Sequence, residues 1–80
     1  MDKIKVTVYF TGLIDIKNLH SGDTVELNSG SSISDLYGQI GIREEHKKYI
    51  IAMINGKNEF MHYTLKDRDE VKLFLPVGGG

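Results

Sequence analysis

The chain has no cysteine, no tryptophan, a single proline and no long apolar run. Without cysteine there is no disulfide, no thiolate metal site, no iron–sulfur cluster and no cysteine nucleophile. Secreted domains of this size usually carry disulfides, so the composition points to a cytoplasmic protein. No stretch approaches the ~18–20 apolar residues of a membrane span, and no signal peptide is visible. An excess of one charge is missing too. Lysine and arginine total 10 against 11 aspartates and glutamates, a formal net charge of -1. That balance supplies no general pull toward nucleic acid or an anionic membrane, and neither is expected as a partner. His20, His46 and His62 share no ligand spacing and read as surface histidines, so no metal is expected. Lys47-Lys48 is too short a basic run for a nucleic-acid patch.

What is present suits one small globular domain. The 80 residues are 40% hydrophobic and 26% charged, ordinary values for a folded chain. Lys3–Phe10 alternates strictly, with Ile4, Val6, Val8 and Phe10 on one side and Lys3, Lys5, Thr7 and Tyr9 on the other. This predicts a half-buried strand. Ser21-Gly22-Asp23 is a turn signal, and Thr24–Asn28 alternates again, predicting a hairpin with the first strand. Ser32 and Asp35 have capping-box spacing. Ile33, Leu36, Tyr37 and Ile40 then recur at one-face helical spacing, and Gly41 is a candidate stop. The hydroxyls of Ser29, Ser31, Ser32 and Ser34 around this helix start read as capping groups rather than nucleophiles.

The charged run Arg43–Lys48 is expected as a loop or an extra helical turn. Tyr49–Ile54 is nearly all apolar, as in a strand covered on both faces or lying under the helix. Asn55-Gly56 is a strong hairpin signal, with Lys57–Phe60 returning. Lys66–Asp69 reads as a tight turn. Val71–Leu75 is the final strand, ended by Pro76. A hairpin, a crossover helix and further strands predict an α+β domain. Its mixed sheet has four to five strands, with the first and last central and parallel and one main helix on one face. That is the β-grasp arrangement of ubiquitin-like proteins, spanning residues 1–75 and followed by a flexible tail, 76–80.

Gly78-Gly79-Gly80 adds nothing to a core, and no helix follows it to make a phosphate loop. One reading is a frayed terminus or a linker remnant. The other is an insertion tail. Extended, Pro76 to Gly80 reaches roughly 16 Å at about 3.3 Å per residue. Lacking Cβ atoms, its last residues fit a channel too narrow for side chains. The reactive group is then the Gly80 carboxylate, a poor electrophile until another protein activates it with ATP.

At this point the chain resembles the sulfur-carrier proteins of the MoaD and ThiS families over essentially its whole length. The resemblance rests on Ala52-Met53-Ile54-Asn55-Gly56, on Leu65-Lys66-Asp67-Arg68-Asp69-Glu70-Val71 and on Phe74-Leu75-Pro76-Val77-Gly78-Gly79-Gly80. Gly78 stands where the families usually have alanine or serine, and Leu75 where the MoaD branch has a proline. Arg68 stands in place of a turn glycine, so a positive φ there is strained or absent.

The resemblance implies a carrier rather than an enzyme, at most the small subunit of a molybdopterin synthase. An E1-like adenylating enzyme of the MoeB/ThiF type would use ATP to adenylate Gly80, with Gly79 beside it in the channel. The carrier itself would hold no cofactor. Sulfur from a persulfide would convert the adenylate to a thiocarboxylate, donated to a pterin precursor on the molybdopterin synthase large subunit or to a thiazole on thiazole synthase. Phe74, Pro76, Val77 and Gly78 are the expected partner-binding residues, with Leu13, Ile14 and Ile16 extending the patch. The competing reading makes Phe74 core under the helix. Two further classes stay open: a ubiquitin-like protein modifier using the same tail, and a non-covalent β-grasp interaction domain.

Overall fold

The computed structural model describes residues 2–11, 14, 16 and 19–76. The alternation of Lys3–Phe10 becomes strand β1 over those same residues, its even-numbered side chains turned inward. β2 (Asp23–Asn28) pairs antiparallel beside it, with Val6 opposite Val25 and Ile4 opposite Leu27. Helix α1 (Ile33–Ile40) begins at a complete capping box. The Asp35 amide donates to Ser32 Oγ, and the Ser32 amide donates to Asp35 Oδ2 at 2.9 Å. It stops at Gly41, whose φ of 80° is the left-handed cap conformation.

The charged run forms a short helix, α2 (Glu44–Lys47). β3 (Ile51–Ile54) turns through Asn55-Gly56 into β4 (Lys57–Glu59), and β5 (Glu70–Phe74) ends the described fold. Positive φ at both Asn55 and Gly56 gives the turn the twist that a two-residue hairpin needs.

The sheet order is β2-β1-β5-β3-β4. β5 lies between β1 and β3, parallel to the first and antiparallel to the second. Inward rows run straight across it: Val8, Val71 and Ile54 form one, Phe10, Leu73 and Ala52 the next. Ile33, Leu36, Tyr37 and Ile40 of α1 are buried in the same cluster. Ala52 is the small member of its row. Among the described residues no helix is long and apolar enough to cross a membrane.

Several boundaries differ from the sequence reading: β2 starts at Asp23 rather than Thr24, β5 ends at Phe74 rather than Leu75, and three more differ. The apolar stretch beginning at Tyr49 yields only a four-residue strand, and its first residue, Ile51, is 39% exposed. β3 is therefore covered by α1 on one face alone. β4 stops at Glu59, one residue short of Phe60, and β5 starts at Glu70 rather than Val71.

Arg68 adopts a φ of 69°. The turn keeps the left-handed conformation although its residue has a Cβ. Nearby bonds hold it there: the Arg68 amide donates to the Lys5 carbonyl at 2.7 Å, and the Lys5 amide donates to Asp67 Oδ1 at 2.8 Å.

These contacts give three expectations for stability. Leu36 is fully buried, so Leu36→Ala should cost roughly 2–4 kcal/mol in urea unfolding. Left-handed backbone costs a non-glycine residue about 1–2 kcal/mol, partly offset by the entropy glycine gains on unfolding. Arg68→Gly should therefore stabilise by about 0.5–1 kcal/mol, and a lower denaturation midpoint would refute the strain. Burial pushes the Tyr37 hydroxyl from 10.0 up to about 12. The stability linked to its neutral form is complete below pH 10 and declines as pH rises toward 12. Tyr37→Phe should flatten that alkaline decline in thermal scans.

Candidate docking face

The outward side of the sheet is built from the strand positions that alternate with the core. Lys72 sits opposite Tyr9 on one side and Met53 on the other. One row further along β5, Phe74 sits opposite Ile51. Continuing the β3–β4 register one residue past the Ala52–Glu59 pair puts Phe60 next to Ile51. Phe74 is 44% exposed and Phe60 72%. Phe60 also stacks on His62, with centroids 6.4 Å apart. A shallow cleft of about 160 Å³ beside Phe74 is lined by Tyr9, Phe10, Thr11, Ser21, Lys72 and Leu73. Large apolar side chains in a contiguous exposed row are what a docking surface needs.

The register of this row depends on two turns that hold each other. Asp69 is buried, at 4% exposure. Its Oδ2 accepts from the Lys66 amide and its Oδ1 from Asn55 Nδ2, each at 2.8 Å. Asn55 Oδ1 accepts from the Glu70 amide at 2.9 Å, and the Asn55 amide donates to the Glu70 carbonyl at 2.9 Å. The hairpin turn after β3 is thus tied to the turn before β5. A buried carboxylate with such donors is satisfied rather than isolated. A slip of one residue would turn Phe74 into the core and Leu73 outward, so the clamp positions the exposed row.

The sequence-derived residues fall into three groups. Phe74 and Pro76 are exposed at the end of β5, and Leu75 is half-buried. This removes the reading of Phe74 as core under the helix. Ile14 and Ile16 do not extend the patch. They are 3% and 9% exposed and belong to the core. Neither isoleucine lies in a strand or helix, so no periodic spacing signals its burial. Leu13, Val77, Gly78, Gly79 and Gly80 lie outside the described residues.

Three members of the face, Tyr9, Ile51 and Phe60, were absent from the expected set. The alternation had already placed Tyr9 outward. Ile51 was hidden in an all-apolar run, and Phe60 becomes part of the face only through the β3–β4 pairing. Among the described residues no group of three histidines or carboxylates could hold a metal. His20 and His62 are exposed and His46 is half-buried.

No curated protein matches this chain. Among solved structures, the crystal structure of SAMP1 from Haloferax volcanii is similar, with a TM-score of 0.60 at 18% sequence identity. That match covers 99% of this chain and 100% of the other. It supports a ubiquitin-like β-grasp fold, the mixed five-stranded sheet and helix described above. The model of the ThiS family matches residues 8–80, from within β1 through the glycine run, and the chain therefore belongs to the ThiS family.

Proposed function

We propose that this chain is a sulfur carrier whose reactive atom is the carboxyl carbon of Gly80. The observation that carries the reading is the placement of β5. The central strand runs out of the sheet beside an exposed apolar row and leads through Leu75 and Pro76 toward Gly78-Gly79-Gly80. The face docks a partner, and the glycines enter its narrow channel. Membership in the ThiS family supports the same chemistry.

In the first step the Gly80 carboxylate attacks the α-phosphorus of ATP on an E1-like enzyme of the MoeB/ThiF type, and pyrophosphate leaves. A persulfide sulfur then attacks the acyl carbon and AMP departs. The resulting acyl disulfide needs a thiol to cleave its S–S bond and release the thiocarboxylate. This chain has no cysteine, so that thiol belongs to a partner. The chain is a co-substrate in every step.

The acceptor we favour is a pterin precursor on the large subunit of molybdopterin synthase. Thiazole synthase is the second reading, favoured by the family to which the chain belongs. The carrier would bind no cofactor, since ATP belongs to the activating enzyme.

Intact-mass spectrometry tests the reading. With a cognate activating enzyme, ATP, a persulfide donor and a thiol to cleave the acyl disulfide, the protein should gain the mass difference between sulfur and oxygen. Deleting Gly80 should abolish the gain, because the carboxylate would fall about 3.3–3.6 Å short. Misplacement by even ~1 Å can cost a hundredfold in rate. Gly79→Leu should block the reaction while leaving the fold intact. Phe74→Ala should raise the KM for the carrier at least about tenfold, as loss of an aromatic anchor does. A mass gain that survives loss of Gly80 would sink the proposal. Lysine conjugates on other proteins would instead identify a modifier.

A further inference from the structure

Lys72 places a charge on this face, between Glu70 and Phe74 along β5. Lys72 is flanked across the strands by Tyr9 and Met53, and along the face by Phe74, which pairs with Ile51. Its side chain is exposed, while its neighbours Val71 and Leu73 are buried on the other face. The ion pairs among the described residues are His20–Asp23, Arg43–Glu45 and Lys47–Glu44, and none involves Lys72. Glu70, two residues earlier on the same face, lies opposite Thr7 and forms no ion pair with it. Among the described residues the ammonium has no ion-pair partner, and Tyr9, Met53 and Phe74 border it on three sides with Glu70 on the fourth.

A partner that covers this face takes the ammonium out of water. An apolar partner surface would leave the ammonium buried without a counter-charge, which is strongly unfavourable. A second copy of this chain fares no better. A two-fold interface is self-complementary, so a residue near its centre meets its own image. Lysine would face lysine. A carboxylate set among apolar side chains satisfies both the apolar neighbours and the charge.

We infer that Lys72 is a specificity-determining residue and that the activating enzyme presents an aspartate or glutamate to it, surrounded by apolar side chains. The inference rests on the carrier reading of the tail and adds the chemistry of the surface that recognises it. Lys72 does not touch the reacting atoms. It selects the enzyme that adenylates Gly80 and sets how tightly that enzyme holds the carrier.

The test is ATP–pyrophosphate exchange by the E1-like adenylating enzyme from the same organism, with the full chain as substrate. Lys72→Met keeps the stem and removes the charge. It should raise the KM for the carrier about tenfold with kcat unchanged, and should weaken the dependence of kcat/KM on salt. Lys72→Glu should raise the KM about a hundredfold or more, and Lys72→Arg should stay within about threefold of the native chain. Lys57→Met, on the edge strand, should change nothing. An unchanged KM and salt dependence in Lys72→Met, with the native chain active, overturns the carboxylate and leaves the carrier reading standing. Native exchange insensitive to Phe74→Ala shows that the face is not used, and overturns it as well. No exchange with the native chain removes the carrier reading and this inference together.

Discussion

The parallel pairing of β1 with β5 is the constraint on which the rest depends. It joins the first strand to the last, so it closes the longest loop in the chain and cannot form from local contacts. Its bonds begin before β5 does. Lys5 exchanges bonds with Asp67 and Arg68, and the Thr7 amide donates to the Asp69 carbonyl at 3.0 Å. The turn is thus docked on β1 before the strand starts. Once β5 is held there, β3 pairs on its other side, and the inner rows under α1 come into line. The outer row of Phe74 and Ile51 is a consequence of that same alignment. The strain at Arg68 fits this account, because a residue held from both sides keeps a backbone conformation it would not choose alone.

Local features were legible in the sequence because each rests on neighbours. Strict alternation in Lys3–Phe10, the spacing of Ile33, Leu36, Tyr37 and Ile40, the Ser32–Asp35 box and the Asn55-Gly56 turn all appear as read. What escaped depends on residues far apart in the chain. Asn55 reads as a turn residue, and so does Asp69, yet each is also half of a clamp fourteen residues long. Nothing at either position signals the other. Ile51 belongs to an apolar run whose period is silent about which face is covered. Ile14 and Ile16 sit in a connection with no period at all, so an exposed patch and a buried anchor look alike in sequence. Of the exposed row, Phe74 had outward parity relative to Val71 and Leu73, but the sequence left a core position under the helix equally open. Its neighbours Ile51 and Phe60 required the pairing of β3 with β5 and β4.

An exposed apolar face between open strand edges invites association with another sheet, and both edges are managed. β4, on the side of Phe60, is only three residues long and starts with Lys57. Short, charged edges make poor templates for another strand. β2, on the other side, is longer and exposes backbone groups. There Gln39 of α1 reaches across, and its Nε2 donates to the Glu26 carbonyl at 2.8 Å. One of the outward carbonyls that an added strand would need is already occupied. Lys72 guards the face itself in the same sense, since a second copy would bring like charges together. The three devices differ in chemistry but share an effect. Stacking through the face and growth along either edge are all disfavoured. The apolar row of Phe74, Ile51 and Phe60 thus stays exposed beside edges that make poor templates for another strand.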